Sequence, residues 1–474
     1  MNATEDTSKK EEKHIRQRSL VVSENVLYES VIISGEPCFL IFDGKSFRAT
    51  TNPLIDNNIH IYPLIEKEMY PYKPYTISNI EKMNNTNPSK QDLFKLIKNE
   101  YDTFLDLEDE YKVLETEQTL ETYMQNKLNS IAYLMHIGDK ASGKTRACEL
   151  HSFLDYRPLF GINISKANIY RYIGHEQEGH CTIIEDEIEK LNTDKDADKL
   201  AIYRAGYRKY AKVPIITDDK ARQQRFYNTF CSKIFAGRYA PKDSAFNDRC
   251  IEIPMIHGNP KKDEIEDEDI LRFDYEKMLL LNYRMRNFFT QIQNSDINNF
   301  NLKGREKELW KSKFEVILSF NINEYSEVIK QMAEKHRKEQ LEERRNSLDA
   351  FLAKSVAWNY KNCNGKEIPS FSIWNILCEQ LEVDSDKASF ETDIIGFKVT
   401  RRLIGLKLRT IFGAENHLRA KPVGRTWSFK EDRIQRILRK FEISEQEITD
   451  LVKKEKTDIT AKTLITDTTE EEAF

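Results

Sequence analysis

The segment Met135–Leu150, MHIGDKASGKTRACEL, places two glycines, a lysine and a threonine between an apolar run and a helix-like run. Gly138 is followed, after four residues, by Gly143, Lys144 and Thr145. Glycine lets backbone N–H groups turn towards an anion, and the N-terminus of the following helix attracts negative charge. The lysine can reach the outer oxygens of a triphosphate chain, while the hydroxyl holds Mg²⁺. The predicted phosphate-binding residues are Gly138, Asp139, Lys140, Ala141, Ser142, Gly143, Lys144, Thr145 and Arg146.

An acidic motif follows a second apolar run in CTIIEDEIE, residues 181–189. Where an apolar strand ends in acids, one carboxylate can hold a metal ion and the next can polarise an attacking water. Asp186 is the predicted Mg²⁺ residue, together with Thr145, and Glu187 is the predicted catalytic base. Glu185 stands where an apolar residue is more usual, so a register with Glu185 and Asp186 in these two roles stays open.

Short apolar runs alternate with helix-like segments on both sides of these motifs, from about residue 130 to residue 258. Apolar runs that are separated by helices are typical of a parallel sheet buried on both faces. The predicted fold class is therefore α/β, with a three-layer core around a parallel sheet that carries the phosphate loop. A small module rich in β-branched and aromatic residues precedes this core.

The composition excludes several classes of protein. Of the 474 residues, 32% are charged, and the net charge of -5 is small, so a nucleic-acid surface has to be local. The seven cysteines are scattered and include no CxxC pair, which argues against a disulfide framework and against a zinc cluster. We find no apolar run of membrane-spanning length and no apolar signal region at the start, and therefore expect a cytoplasmic protein without a membrane partner.

The stretches GDKASGKT, TIIEDE and AFNDRCIEIPM resemble motifs of the AAA+ division of P-loop ATPases, in particular the ATPase modules of replication proteins from archaea, plasmids and viruses. The resemblance covers about residues 130 to 258. It implies ATP and Mg²⁺ as cofactors, a homo-oligomer with a hexamer as the expected form, and an ATPase activity in which Lys144 and Glu187 are catalytic.

The resemblance also assigns a role to Arg249, because relatives carry an Arg-Cys pair at this position. There the arginine reaches the γ-phosphate bound by a neighbouring subunit and neutralises charge in the transition state. An ordinary ion pair with Asp248 or another acid is the alternative for Arg249. The sequence departs from the family after the strand SKIFAG, where Arg238 stands instead of the usual asparagine sensor.

A basic hairpin is predicted in KVPIITDDKARQQRFYNTF, residues 212–230, with Lys220, Arg222 and Arg225 at its polar tip. The resemblance implies a hairpin that points into the pore of a ring. A basic tip at that place could grip a phosphate backbone. A solvated surface hairpin is the alternative.

The C-terminal part has its own pattern of two helices, a hairpin around Pro422-Val423-Gly424 and a closing helix, which is the order of a winged helix. Between Lys398 and Lys440 it carries thirteen basic and three acidic residues, a local excess of +10. Such an excess indicates a nucleic-acid surface. The predicted DNA contacts are Arg401, Arg402 and Arg409 on the second helix and Arg419 and Arg425 on the hairpin.

The predicted domains follow from these patterns. They are a disordered tail (1–16), a β-rich module (17–85), a helical connector (86–130), the AAA+ domain (131–300), a helical linker (301–350), a winged helix (351–443) and a polar tail (444–474). The sequence favours a ring-forming ATP-hydrolysing motor on DNA, a replicative helicase, translocase or initiator. An ATP-dependent oligomeric DNA-binding switch without translocation, as in a helicase loader or a transcriptional regulator, is the alternative.

Overall fold

The chain forms two compact units, residues 1–334 and 335–474, in a computed structural model. The structure describes residues 13–17, 20–56, 59–63, 75–173, 179–191, 195–218, 223–292, 302, 304–365, 367–418 and 425–451. Among the described helices, none combines the length and the apolar character that crossing a bilayer requires. The domain boundaries that we expect within the two units remain predictions.

The first unit begins with two small sheets, which agree with the β-rich character of this part of the sequence. One is an antiparallel sheet of four consecutive strands, and in the other the first strand pairs in parallel with the seventh. The first strand takes up residues that the sequence had assigned to a disordered tail. The strands are β1 Lys13–Gln17, β2 Leu20–Ser23, β3 Val26–Ile33, β4 Glu36–Phe42, β5 Phe47–Thr50, β6 Leu54–Asp56 and β7 Ile59–Pro63.

Three helices follow, α1 Ile77–Asn85, α2 Lys90–Phe104 and α3 Asp109–Thr122. Ser89 caps α2, since its hydroxyl accepts a hydrogen bond from the Asp92 amide at 3.1 Å. The third helix is rich in acidic residues, and its carboxylates at Glu117 and Glu121 are buried.

The centre of the unit is a five-stranded sheet in which every neighbouring pair is parallel. Its spatial order is β14-β8-β13-β10-β9, so β8 lies between two strands that come later in the chain. The sheet strands are β8 Tyr133–Gly138, β9 Pro158–Ile162, β10 Thr182–Asp186, β13 Ser232–Gly237 and β14 Cys250–Met255. An antiparallel hairpin lies outside this sheet and consists of β11 Lys212–Asp218 and β12 Gln223–Asn228.

Helices cover both faces of the parallel sheet, which confirms the α/β prediction. On one face Ile184 and Ile234 pack against Cys148 of the helix that follows the loop. On the other face Tyr133 and Phe235 pack against the remaining helices of this region. These helices are α4 Lys144–Leu154, α5 Lys166–Ile173, α6 Ala197–Ala205 and α7 Ser244–Asn247.

Four further helices complete the first unit and open the second: α8 Asp267–Arg286, α9 Gly304–Ser319, α10 Ser326–Arg345 and α11 Leu348–Asn362. Buried Lys313 on α9 explains the buried acids of α3. Its Nζ lies 2.9 Å from Glu117 Oε2 and 3.1 Å from Glu121 Oε2. This buried cation contacts both carboxylates and opposes the rise in pKa that burial imposes on each of them.

The second unit has the predicted order of helix, helix, hairpin and helix. A core around Trp374 and Trp427 holds these elements together. They are β15 Ile368–Pro369, α12 Ser370–Gln380, β16 Ser389–Phe390, β17 Val399–Thr400, α13 Arg401–Thr410, β18 Glu415–Leu418, β19 Arg425–Ser428 and α14 Glu431–Lys440. The hairpin strands β18 and β19 are antiparallel, and β15 adds to them as a third strand.

Candidate functional site

The predicted phosphate loop lies at the carboxyl end of β8 and leads directly into α4, which begins at Lys144. Gly143 has φ of +91°, a conformation that favours glycine. Gly138 lies so close to β14 that an added Cβ would stand 2.0 Å from the carbonyl oxygen of Met255. Both glycines are therefore required by the backbone, and the first N–H groups of α4 face the loop.

Thr145 and Asp186 meet beneath this loop. The Thr145 hydroxyl donates to Asp186 Oδ2 at 2.8 Å, although the two residues belong to α4 and β10. Lys144 Nζ donates to the backbone oxygen of Asp139 and, at 3.1 Å, to the Ser142 hydroxyl. A hydroxyl, a carboxylate and an ammonium group are thus gathered at one edge of the sheet, and oxygen ligands of this kind suit Mg²⁺.

Glu187 follows Asp186 in a left-handed backbone conformation, with φ of +61°. Its amide donates to Asp186 Oδ1 at 2.7 Å, and its own carboxylate forms an ion pair with Lys190. A left-handed glutamate stores backbone strain of about 1–3 kcal/mol.

Glu185 lies on the other face of β10, because side chains alternate along a strand. Its carboxylate is 1% exposed and accepts hydrogen bonds from Lys199 and Tyr203, and from the Ile164 amide at 3.2 Å. Burial raises the pKa of the Glu185 carboxyl, and Lys199 opposes this shift. The geometry therefore places Asp186, and not Glu185, beside Thr145.

A fully buried polar cluster, which the sequence did not reveal, ties the two sides of the loop together. Glu115 of α3 accepts from His136 Nε2 at 2.6 Å and from His151 Nε2 at 2.8 Å. His136 belongs to β8 and His151 to α4, so one carboxylate holds both elements that flank the loop. Asp155 Oδ1 lies 3.0 Å from His151 Nδ1, and Tyr101 contacts the same nitrogen at 3.0 Å.

The contacts within this cluster shift two pKa values. Burial alone would raise the pKa of Glu115, but His136 and His151 lower it to about 2. Burial would lower the pKa of His151, yet Asp155 and then Glu115 raise it to about 9. The cluster therefore carries charge at neutral pH. The signal in the sequence was a histidine inside the apolar run IAYLMHIG, but a lone histidine does not identify its partners.

A cavity of about 250 Å³ adjoins the loop. Loop residues such as Ser142 and Gly143 form one side, the segment that begins at Leu105 forms another, and residues from Ile256 to Gly258 after β14 form the third. The His257 ring contacts the Ala141 carbonyl oxygen at 2.9 Å. The cavity can accept a group that is attached to a phosphate chain lying on the loop.

Arg249 lies at the amino end of β14, which is the end of the sheet away from the phosphate loop. It precedes β14, whose first residue pairs with Tyr133 and whose last residue pairs with Gly138. The length of a six-residue strand, about 20 Å, therefore separates Arg249 from the loop of the same chain. No described carboxylate forms an ion pair with Arg249; its Nε donates to the Arg204 carbonyl oxygen at 2.7 Å. Burial and then Arg305 lower the pKa of Arg249.

The predicted basic hairpin can be located only in part. Lys220 and Arg222 lie outside the described residues. Arg225 belongs to β12, but its side chain is not described. Arg238 follows β13, at the position where the family usually has an asparagine. Its backbone amide donates a hydrogen bond to Glu189 Oε2 at 3.3 Å.

The second unit brings four of its five predicted DNA-binding residues onto α13 and β19. Arg401, Arg402, Arg409 and Arg425 are all exposed, and none forms an ion pair within the described parts of the chain. Arg419 lies outside the described residues. Other basic side chains of this unit have internal partners; Lys407, for example, lies 2.6 Å from Asp349.

Comparison with known proteins adds little to this geometry. No protein-family model matches the chain, and no curated protein sequence matches it. Among solved structures, it is similar to the A-form apo structure of the NrS-1 C-terminal region, at 11% identity and TM-score 0.34, covering 85% of this chain and 96% of that one. It is also similar to a RuvB mutant of Thermotoga maritima, at 11% identity and TM-score 0.22, covering 70% of this chain and 96% of that one.

Likenesses of this size assign no activity, so the functional argument depends on the site itself. The chain is an α/β protein with a P-loop-like core, in which the loop, Thr145 and Asp186 meet at the carboxyl edge of a five-stranded parallel sheet.

Proposed function

We propose that this protein is a ring-forming AAA+ ATPase that hydrolyses ATP with Mg²⁺ and acts on DNA, as a replicative helicase, a translocase or an initiator. The observation that carries the proposal is the contact of 2.8 Å between the Thr145 hydroxyl and Asp186, directly beneath a glycine-bounded loop at the start of a helix. A phosphate chain and its metal ion need these groups together.

Each residue of the site has one role in this proposal. Backbone N–H groups from Gly138 to Arg146 cradle the phosphates, and Lys144 neutralises the outer phosphate oxygens. Thr145 and Asp186 hold Mg²⁺, which balances the charge that develops on the phosphates. Glu187 takes the proton from the attacking water. The burial of Glu185 against Lys199 supports this register of the acidic motif over the alternative one.

Arg249 acts on a nucleotide bound by a neighbouring subunit. Two observations support this role: the sheet separates Arg249 from its own loop, and the arginine has no carboxylate partner among the described residues. An arginine at the edge of one subunit can serve the loop of the next only in a head-to-tail assembly, and a closed assembly of this kind is a ring. We propose a homo-oligomer, with a hexamer as the ring.

The C-terminal unit supplies the contact with DNA in this proposal, and its elements form a winged helix. Support comes from the exposed arginines at positions 401, 402, 409 and 425, which lack internal counterions among the described residues. On α13 these side chains can meet a groove of the duplex, and on β19 the phosphates. Lys220, Arg222, Arg225 and Arg419 are proposed as further DNA contacts from the sequence alone.

One observation favours the alternative function, an ATP-dependent DNA-binding switch. Glu187 forms an ion pair with Lys190, and this contact occupies the carboxylate that the proposal assigns to the attacking water. If this pair persists with ATP bound, hydrolysis is slow, and the nucleotide orders an oligomer on DNA without driving translocation.

A test of the nucleotide site compares Lys144→Ala with Lys95→Ala, which removes an exposed lysine of α2 outside the loop. We expect saturable binding of ATP with Mg²⁺ by the wild-type protein and by Lys95→Ala, and a loss of binding or turnover in Lys144→Ala. If the wild-type protein takes up no ATP with magnesium, the proposal is wrong.

A second measurement separates the motor from the switch. Strong stimulation of the ATPase rate by single-stranded DNA supports a translocase. Tight ATP-dependent binding to duplex DNA with little turnover supports the switch. Electron microscopy with ATP and DNA then shows whether a ring forms.

A further inference from the structure

A groove in the second unit lies between α12, α13 and the hairpin of β18 and β19. Its volume is about 480 Å³. Phe371 and Trp374 line it from α12, Arg401 and Gly405 from α13, and Leu418 and Arg425 from the hairpin. Volumes of a few hundred Å³ are typical of sites for small organic groups and are too small for a helix of nucleic acid.

We call this cavity between α12, α13 and the hairpin the α13 groove. Large apolar side chains at its rim are exposed. Phe371 is 54% exposed and Leu418 is 85% exposed. The two tryptophans of the floor, Trp374 and Trp427, are buried and hold the walls in place. The groove therefore exposes an aromatic side chain on α12 and an aliphatic side chain on β18, which a flat ring can contact.

Positive charge surrounds this apolar surface without internal compensation. Arg401 and Arg425 line the groove, and within the described parts of the chain neither forms an ion pair. The guanidinium of Arg401 lies 5.2 Å from the centre of the Trp374 ring and donates to the Ser385 carbonyl oxygen at 2.9 Å. Arg401 is thus held in place at the rim with its charge unpaired. An apolar groove with an uncompensated cationic rim is complementary to a flat apolar ring that carries an anion.

Gly405 keeps the floor of the groove open. It lies in the middle of α13, where glycine is a poorer helix former than alanine. A Cβ at this position would meet only Trp427, at 3.6 and 3.9 Å, which is ordinary contact. The described packing therefore does not require glycine here, whereas a longer side chain would enter the groove.

We propose that the α13 groove binds one unpaired nucleotide of single-stranded DNA, with its base against Phe371 and Leu418 and its phosphates at Arg401 and Arg425. This inference depends on the proposed contact of the second unit with DNA. Stacking of bases on aromatic side chains, combined with arginines along the backbone, is how proteins hold single strands without reading sequence. A paired base cannot enter the groove, so the site distinguishes a single strand from a duplex.

The test measures binding of the full-length protein to a labelled 20-nucleotide poly-dT strand and to a 20-base-pair duplex, by fluorescence anisotropy at one salt concentration. Phe371→Ala removes the stacking face, and Gly405→Leu fills the groove. Since one stacked base contributes roughly 5- to 150-fold in affinity, we expect each variant to lose about that factor for the single strand and less than about twofold for the duplex.

A matched control is Leu406→Ala, which removes an exposed apolar side chain from α13 outside the groove; Leu406 is 57% exposed. We expect it to bind both DNAs as the wild-type protein does. An abasic strand of the same length has no base to insert. The wild-type protein should therefore bind it as weakly as Gly405→Leu binds poly-dT, and Gly405→Leu should bind the abasic strand no more weakly than the wild-type protein does. The tryptophan emission of each variant reports whether the second unit is folded.

Equal losses for strand and duplex, or no loss in folded Gly405→Leu, would overturn the groove as a site for a base. Tight duplex binding together with single-strand binding that none of the groove variants weakens would leave the proposed DNA contact intact and refute only this inference. If the wild-type protein binds neither DNA, both proposals fail. A last outcome concerns the peptide TTEEEAF, residues 468–474. If this peptide binds the wild-type protein but not Gly405→Leu, while single-strand binding is the same in both proteins, the groove belongs to the acidic tail and the inference is wrong.

Discussion

Replacing His151 by glutamine should remove a pH-dependent part of the stability of the first unit. In the wild-type protein the pKa of His151 is raised from 6.5 to about 9 by Asp155 and Glu115. A raised pKa in the folded state stabilises the protein fully below pH 6.5, and this stabilisation is lost as pH rises through 9. The shift corresponds to about 3 kcal/mol, since one pKa unit is about 1.4 kcal/mol.

Glu115 acts in the opposite direction of pH. Its pKa is lowered from 4.5 to about 2 by its two histidines, so its stabilisation is present above pH 4.5 and is lost as pH falls through 2. The two shifts describe largely the same interaction and are not added. Together they place the greatest stabilisation by the cluster between about pH 4.5 and 6.5.

The measurement is calorimetric unfolding at pH 6 and at pH 9 of the wild-type protein, of His151→Gln and of His257→Gln. His257 is an exposed histidine at the loop, and this variant should keep the wild-type dependence on pH. For a unit of 334 residues the unfolding entropy is about 0.7 kcal/mol/K, so about 3 kcal/mol corresponds to roughly 4 °C in Tm.

Comparing the same pair of proteins at two pH values removes the titration of all groups that they share. The Tm difference between wild type and His151→Gln should therefore shrink by roughly 4 °C from pH 6 to pH 9. A difference that stays constant over this range would show that His151 does not gain its charge through the cluster, and the reasoning would be refuted.

Three further substitutions test the nucleotide site. Glu187→Gln should retain ATP binding in a filter assay but lose about 10²- to 10⁴-fold in phosphate release, the contribution of a general base; normal release would assign the base to another acid. Arg249→Ala should lose about 10³-fold or more in hydrolysis while the ATP affinity of the monomer stays within about twofold; a large fall in Tm would instead indicate a structural role. Gly138→Ala should weaken ATP binding and lower the stability by about 2 kcal/mol or more, because its Cβ would collide with Met255; unchanged titration and melting curves would disprove the close approach.

The parallel sheet and the loop could be predicted from the sequence because both are local signals. Continuous apolar runs at β8, β10 and β13 indicate strands buried on two faces. The phosphate loop is recognised from the eight consecutive residues between Gly138 and Thr145. The pairing of these strands is not local. That β8 lies between β13 and β14 depends on contacts between distant segments, which no single run records.

The roles of two acidic segments show where local patterns fail. Side-chain alternation puts Glu185 and Asp186 on opposite faces of β10, but only the packed structure shows which face carries Thr145. On α3 a pattern of acids is typical of a solvated helix. It is buried here against Lys313, a cation far along the chain that contacts both Glu117 and Glu121.

Under the role proposed for Arg249, its position at the end of the sheet opposite the loop has a consequence for how many working sites a head-to-tail assembly holds. In an open head-to-tail row, one end subunit has a loop that no arginine reaches, and the other end has an arginine with no loop to serve. Closing the row completes that last site without any new contact surface. Ring closure would then raise the number of sites that hydrolyse ATP. A subunit that lacks Arg249 or the loop would inactivate one site for each place that it takes in the ring.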